Sequence, residues 1–533
     1  MTNSGFQGGT LVLVTMSDAA PRVRSIAAPV RFGGIGVTVL AVFTAVILTI
    51  PGLRYDYFGD ELYFIAAGSR PAVAYADQGA LLPLLARFAD LIAPGSAVTL
   101  RMPGIVMAAL AVIVCAAIAY EFGGGPRAQL LAGIAYATSP LALTQAAQLS
   151  TFSLDATLQA ATVWLLIRWI RTRRDRLLIL AGLLAAIDIQ VKWLVPVTWC
   201  CLLAGLAVAG PRTLLMRRAH WLGALVFAAG AAPDIWWQAT HGWPELAMSR
   251  VIGAEQDAAG GGPLACLPQI IGLAGLLGGL LGGWGLWQLF RWEPLRPYRF
   301  LLVTALSMIA VVLIGHGRPY YVGGLMPAVF AAGAVGLSAL DHTRWRCWIR
   351  LGTLTAVAGS LAIIVTLLAA LPLPRSWARD PITSPGEFAL RSDLYGPAGW
   401  QELVAGVAGV YRTLPADERA HTVLVAQNYW QAGALAKFGG RYGLPATYSP
   451  NRGYGFFGPP PDIATTVLYI GLDSATPALR HQFDTVTLSG RLDDPLGYPG
   501  VNRKVAIHTC RWPTAAWPVL WPAMRQLTLP LGI

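Results

Sequence analysis

Apolar stretches of about 20 residues recur through the first 372 residues of this 533-residue chain. A helix needs about that many apolar residues to cross a bilayer. A soluble core has no use for so many. They lie near 33–53, 98–120, 128–143, 154–170, 177–191, 193–210, 219–237, 265–290, 300–315, 319–340 and 351–372, which predicts about eleven transmembrane helices. Charged residues make up only 12% of the chain, against about 25% in soluble domains. The first stretch is too long for a signal-peptide core and lacks a small-residue cleavage site, so it reads as an uncleaved span. Residues 1–32 before it form a short polar segment, and Met16 is an alternative start to Met1.

Charge placement orients these spans. Residues 1–372 hold 25 basic residues. With a cytoplasmic N-terminus, 18 of them fall on the cytoplasmic side, among them Arg22, Arg24, Arg171, Arg217, Arg296 and Arg344. The other seven are Arg54, Arg70, Arg87, Arg101, Lys192, Arg250 and Arg318. This bias follows the positive-inside rule and, with an odd number of spans, places the C-terminus outside. The net charge of +12 is carried almost wholly by arginine, with Lys192, Lys437 and Lys504 the only lysines. No basic stripe interleaved with aromatics appears, so a nucleic-acid partner is not expected. The six cysteines form no CxxC pair. A Cys266–Cys510 bridge stays open if both face the oxidising side.

After residue 372 the long apolar runs stop. Segments 421–426, 465–471 and 505–510 read as strands and 428–438 as a helix. Residues 373–533 are therefore expected to form an extracytoplasmic α/β domain beyond a transmembrane domain at 33–372. In the loop after the first span (54–97), two amphipathic helices fit Glu61–Gly68 and Ala80–Ile92. Asp60, Glu61 and Asp77 sit at their starts. The plain reading is N-caps and first-turn acids. The functional reading is a pair of carboxylates at the outer mouth of a bundle, acting as base and cation site.

The order and spacing of several motifs resemble the GT-C glycosyltransferases of the family 39-like type, which include protein O-mannosyltransferases and lipid A aminoarabinose transferases. These are GDELYF at 59–64, ADQGALLPLLAR at 76–87, LRMPG at 100–104, FSLDATLQ at 152–159, VKW at 191–193, WWQATHGWP at 236–244 and GRPYYVGGLMPAVFAAGA at 317–334. GWQELVAGVAGVYRTLP at 399–415, QNYWQAGALAKFGGRYGLP at 427–445 and YGFFGPPPD at 454–462 extend the likeness into the outer domain.

The resemblance implies a reaction. A sugar would pass from a polyprenyl-phosphate donor to an acceptor hydroxyl on the outer face of a bacterial plasma membrane, with inversion and no nucleotide sugar. The acceptor would be a lipid or cell-envelope glycan. Asp60 matches the acid that takes the acceptor proton, and Glu61 would orient the acceptor or tune its neighbour. Asp77 matches the second acidic position, which in some relatives helps to hold a divalent metal. His241 could join it as a ligand, although no cofactor is clearly required. Gly79 stands where many relatives carry proline, which bears on the role of Gln78.

The leaving phosphate needs cations. Arg101, Lys192, Arg250 and Arg318 are the cations available on the outer side; Arg101, Lys192 and Arg318 are the chosen candidates, with Tyr320 and Tyr321 beside Arg318 to grip phosphate and stack on sugar. Lys192 lies between two apolar runs, where a charge is functional by default; the plainer alternative is a snorkelling lysine. Trp237, Gln238 and His241 could meet sugar or lipid, or simply form an interfacial aromatic belt. Asp155, Asp188 and Asp234 lie in or near spans and should have buried partners. Gln427–Tyr429, at a strand-to-helix junction, could bind an anion or could be ordinary capping. Two other functions stay open: a transporter or flippase of lipid-linked sugars, and a protein O-mannosyltransferase proper.

Overall fold

A computed structural model describes residues 31–340 and 346–533. Nearly all of the expected cytoplasmic segment 1–32, with Met16, Arg22 and Arg24, lies outside the described residues, as does Arg344. The transmembrane part begins with α1 (Gly34–Arg54), followed by the two loop helices α2 (Gly59–Gly68) and α3 (Leu81–Ile92). Next come α4 (Ala97–Glu121), α5 (Pro126–Ala137), α6 (Pro140–Ala147), α7 (Thr151–Thr172), α8 (Arg176–Ile189) and α9 (Val195–Ala209). Then follow α10 (Arg218–Thr240), α11 (Pro244–Gly260), α12 (Cys266–Arg291), α13 (Phe300–Ile314), α14 (Met326–Ala339) and α15 (Arg346–Ala370).

Every expected span is helical, and three are interrupted, the run at 265–290 by a kink at Gly275, whose φ is 72°. The run at 128–143 breaks where Pro140 lacks an N–H, and Ser139 caps the new helix by accepting from Ala142 N–H. The run at 319–340 opens as a 3-10 turn, Pro319–Leu325, before α14 begins. Among the described residues, five segments are long and apolar enough to cross a membrane: Gly34–Arg54, Ala97–Glu121, Pro263–Arg291, Pro319–Ala339 and Arg346–Ala370. Helix α1 turns Ile35, Val39, Val42, Phe43 and Val46 outward, and α15 does the same with Leu351, Leu354, Ile363 and Val365. Such faces suit lipid. Helix α7 is buried along most of its length and forms the centre of the bundle.

Small residues let the helices approach. A Cβ on Gly182 of α8 would lie 2.1 Å from the Gly223 carbonyl oxygen of α10, and a Cβ on Gly223 would lie 2.5 Å from that of Leu178. Such close crossings are typical where lipid supplies no hydrophobic drive between helices. At one end of the bundle, buried Glu121 is held by Arg168 (2.8 Å) and Arg171.

The C-terminal domain, called the outer domain because it lies outside the helical bundle, comprises α16 (Pro385–Tyr395), α17 (Trp400–Thr413), α18 (Ala416–Ala420), β1 (Thr422–Ala426), α19 (Tyr429–Phe438), β2 (Thr447–Tyr448) and β3 (Thr466–Gly471). It ends with α20 (Thr476–Gln482), β4 (Phe483–Leu492), β5 (Val505–Pro513) and α21 (Trp517–Met524). The sheet order is β2-β1-β3-β5-β4. β1 runs parallel to β2 and β3, and β5 runs antiparallel to β3 and β4. Strands β1, β3 and β5 match the sequence expectation. Strand β2 spans only two residues, and β4 is largely exposed at the sheet edge, so neither carries an apolar run.

One face of the sheet has its own core, with Val425, Val467, Phe483, Trp517 and Trp521, but the other face shares its core with the first loop. Tyr57, Leu62, Tyr63 and Phe64 are buried with Leu403, Val407, Leu424, Ala432, Leu435 and Ile470 in one cluster. Helix α19 lies so close to α2 that a Cβ on Gly433 would stand 2.9 Å from the Leu62 carbonyl carbon. The six cysteines are free, with Cys266 in α12 and Cys510 in β5, so the bridge between them is not formed.

Gly182→Ala should force α8 and α10 apart at a cost of about 1–3 kcal/mol, the usual range for overpacking. A lowered melting temperature of the purified protein in nanodiscs is the expected reading, with Gly272→Ala, which meets nothing within 4 Å, as the unaffected control.

Candidate functional site

The first turn of α2 carries two adjacent acids with different surroundings. Glu61 is fully buried and forms a two-pronged ion pair with Arg101 of α4, Nε to Oε1 at 2.8 Å and Nη2 to Oε2 at 2.7 Å. Its oxygens also accept from the backbone N–H groups of Phe58 and Leu149, both at 2.9 Å. Arg101 donates its remaining N–H groups to the carbonyls of Gly52, Tyr55 and Asp56. All five of its donors are used. None remains for a phosphate, and Glu61 has no free face for an acceptor. The structure gives this pair the task of fixing the end of α1, the start of α2 and Leu149 around α4.

Asp60, one residue earlier, is only partly enclosed. Its Oδ1 accepts from the Tyr429 hydroxyl at 2.6 Å and from the Trp430 indole N–H at 2.9 Å, both on α19 of the outer domain. Its Oδ2 accepts no hydrogen bond among the described residues. The Trp430 ring lies flush on Gly59, where a Cβ would come within 2.1 Å of it. Asn428 caps α19 by accepting from Trp430 N–H at 2.7 Å, and Gln427 Oε1 accepts from Leu472 N–H. The junction 427–429 is therefore a closed cap rather than an anion site. Burial keeps the Tyr429 phenol well above its ordinary pKa, so it stays a proton donor to Asp60.

Asp77 accepts from the Tyr63 hydroxyl at 2.8 Å. Burial pushes its pKa up to about 6, against the lowering effects of the Tyr63 bond and Arg452, with Asp60 adding repulsion. Arg452 is a cation that the sequence reading passed over. It pairs with Glu255 of α11, donates to the Tyr429 hydroxyl at 3.3 Å and to the Leu527 carbonyl, and sits 5.3 Å from the Tyr429 ring centre. Gly453 beside it must lack a side chain, because a Cβ would stand 1.9 Å from the Tyr63 hydroxyl oxygen and 2.9 Å from Asp77 Oδ1. Gly79 is constrained in the same way, since its Cβ would meet Gln190 Cα at 2.4 Å. Proline carries a Cβ and cannot occupy that place. Next to it, Gln78 is 1% exposed and neither polar atom of its amide has a partner.

Lys192 lies on the far side of this contact. Its ammonium is buried, lacks a hydrogen-bond acceptor, and sits 4.6 Å and 4.1 Å from the ring centres of Tyr320 and Tyr321. Asp155 and Asp188 flank it electrostatically. Tyr320 packs on Phe152 at 4.6 Å between ring centres, and Arg318 beside it makes no hydrogen bond or ion pair with the described residues. Glu245, at the start of α11 and outside the spans, is half-buried, feels the charges of both Asp77 and Lys192, and has its Oε2 buried without a partner. Burial, and then the charge of Asp77, raise its pKa to about 8 against the pull of Lys192. Unpaired buried polar atoms cost about 1–3 kcal/mol each. Gln78, Lys192 and Glu245 each keep a buried polar atom for which the described residues supply no partner.

The remaining candidates have structural occupations. Gln238 donates to the carbonyls of Tyr75 and Ala76 and accepts from Glu245 N–H, tying α10 and α11 to the loop that holds Asp77. Trp237 stacks on His241 at 3.9 Å, and His241 Nδ1 lies 2.8 Å from the Trp237 carbonyl. Among the described residues no three His, Cys, Asp or Glu side chains converge as a metal site. Asp234 is bonded to Gln190. Of the residues the sequence left unassigned, Tyr429 could have been found from its strand-to-helix position. Trp430, Glu245 and Arg452 carry no local signal, because what they meet is set by the tertiary fold: Asp60 for Trp430, Asp77 and Lys192 for Glu245, and Glu255 for Arg452.

Residues 77–237 match the sequence family described as dolichyl-phosphate-mannose-protein mannosyltransferase. No curated protein matches the chain. Among solved structures, ArnT from Cupriavidus metallidurans in the apo state superposes with a TM-score of 0.59 at 13% identity, covering 89% of this chain and 98% of that one. The same protein bound to undecaprenyl phosphate gives 0.55 at 13% identity, covering 89% and 97%. The chain thus shares the GT-C fold, a bundle rich in long apolar helices with a small C-terminal sheet domain.

Breaking the buried pair with Arg101→Leu should cost about 3–5 kcal/mol by stranding Glu61. Arg101→Lys should not rescue it, because one ammonium cannot make the five bonds; denaturant unfolding of both variants checks this. Glu245 supplies a pH test. Its folded carboxyl keeps a proton up to about pH 8, whereas an unfolded one loses it near 4.3. Its contribution to stability is full below about 4.3 and falls as pH rises towards 8. Glu245→Gln should therefore flatten the fall of melting temperature between pH 5 and 8.

Proposed function

We propose that this protein is a membrane glycosyltransferase that moves a sugar from a polyprenyl-phosphate donor to an acceptor hydroxyl, with Asp60 as the base. The observation that carries this reading is the state of Asp60. One carboxylate oxygen is pinned by Tyr429 and Trp430, and the other is unpartnered, where bundle and outer domain meet. Two donors on Oδ1 fix the plane of the group, which is the orientation a general base needs. The GT-C fold, and the undecaprenyl phosphate seen in the ArnT structure, support the donor class.

The chemistry divides between two sides of the site. The acceptor oxygen attacks the anomeric carbon while its proton passes to Asp60. The bond from that carbon to the phosphate oxygen breaks, and its electrons leave with the polyprenyl phosphate. Attack opposite the leaving group inverts the anomeric centre. Lys192 and Arg318 are the cations left to neutralise the phosphate, since Arg101 and Arg452 are committed to other carboxylates. Tyr320, Tyr321 and Gln78 would line the donor side. Asp77 and Glu245, whose protonation depends on pH near neutrality, would set the charge between the two sides.

The excess of arginine at the other end of the bundle supports an outward-facing site on a bacterial plasma membrane. The N-terminus would be cytoplasmic and residues 373–533 extracytoplasmic, with a lipid or cell-envelope glycan as acceptor.

Purified protein in nanodiscs, given a panel of polyprenyl-phosphate sugars and cell-envelope extract, should release polyprenyl phosphate from one of them. Asp60→Asn should reduce that release at least a hundredfold while leaving the melting temperature within a few degrees. Full release by this variant would remove Asp60 from its role. Binding of donor without release by the wild type would favour a transporter instead.

A further inference from the structure

A cavity of about 100 Å³ opens beside Asp60. Its walls come from both halves of the chain: Asp60 and Gln148 from the bundle side, and Phe388, Ser392, Trp400 and Trp430 from the outer domain. Phe388 and Trp430 lie nearly parallel, 14° apart with ring centres at 5.9 Å. The Trp400 indole N–H is already used by the Tyr57 carbonyl at 2.8 Å, so that ring offers its apolar surface. Ser392 donates to the Phe388 carbonyl at 2.9 Å within α16. Gln148 makes no side-chain hydrogen bond with the described residues, and Asp60 Oδ2 is likewise unpartnered. Asp60 is the only charged group in the lining.

Resting on the reading of Asp60 as the base, we propose that this cavity is the acceptor site and that it takes an uncharged saccharide, whose ring edge enters beside the aromatic walls and presents a hydroxyl to Asp60. Three observations converge on that class. First, a carboxylate with no cation in the lining repels a phosphate or carboxylate acceptor, while a neutral hydroxyl can donate to it. Secondly, aromatic walls with one or two polar groups at fixed positions are the usual composition of a site for a ligand with apolar faces and polar edges. A sugar ring has both. Thirdly, the volume is below the roughly 150 Å³ that admits benzene, so it accommodates one hydroxyl-bearing ring edge rather than a bulky headgroup. Gln148, with both a donor and an acceptor free, suits a neighbouring hydroxyl.

Saturation-transfer NMR on the full chain in nanodiscs, with methyl glycosides of common neutral sugars as probes, tests this without any donor. At least one glycoside should show saturation transfer to its ring protons. The signal should disappear in Ser392→Leu, which fills the cavity, and persist in Ser392→Ala, which does not. Equal melting temperatures of the two variants exclude a folding defect. No glycoside signal, or a signal unchanged in Ser392→Leu, overturns the proposal. So does displacement of the glycoside by an alkyl phosphate at equal concentration. Once a donor is found, the same glycoside should accelerate polyprenyl phosphate release at least tenfold. Acceleration only by a serine or threonine peptide would overturn the saccharide and leave Asp60 as base. A glycoside signal with no release from any donor would instead count against the transferase reading alone.

Discussion

The buried pair of Glu61 and Arg101 is the constraint on which the rest of the site depends. A charge without a partner in such a place would cost several kcal/mol. Here both groups are saturated, Arg101 through five donated hydrogen bonds and Glu61 through four accepted ones. The partners come from the end of α1, the loop after it, the start of α2, α4 and the backbone before α7. Once these are tied together, the position of the next residue along α2 is settled. Asp60 is presented on the adjacent side of the same helical turn, at the boundary with the outer domain.

That boundary is part of the site rather than a cover over it. Helix α19 reaches α2 across a glycine contact, and its first two residues supply both donors to Asp60. Arg452 then links Tyr429 to Glu255 of α11, whose first turn carries Glu245 towards Lys192. Charge-assisted contacts therefore run from Asp60 through the outer domain to Glu255 of α11, whereas Lys192 has no hydrogen-bond partner among the described residues. Asp77 is held by Tyr63. The glycines at 79 and 453 have their positions because backbone and phenol lie where a Cβ would be.

Much of the architecture was legible from residue order. Apolar length located the helices, because a bilayer demands about 20 residues per span. The interruption at Pro140 was not visible as an end, since the run stays apolar on both sides of it. Strands β1, β3 and β5 announced themselves as apolar runs, whereas β4 at the exposed edge has little to bury. The acids of α2 were identified as a pair from their spacing. Which of them is spent on Arg101 was not, because that depends on how each points once the chain is folded. Arg101 itself read as a phosphate ligand from its place on the outer side, and three backbone carbonyls closing around it changed that assignment.

What the sequence alone determined is the membrane bundle, the outer α/β domain, the candidate acids of the first loop and the cationic and aromatic positions around Lys192 and Arg318. These follow from length, periodicity and the high cost of charge among apolar residues, all of which are local or compositional. Only the tertiary structure decided which of those groups are spent on one another. Glu61 meets a residue 40 positions away and Asp60 meets two that are 369 and 370 positions away. Hydrogen-bond saturation is a property of what surrounds a group in space. No pattern along the chain can tell a carboxylate that is fully satisfied from its neighbour that keeps one oxygen free.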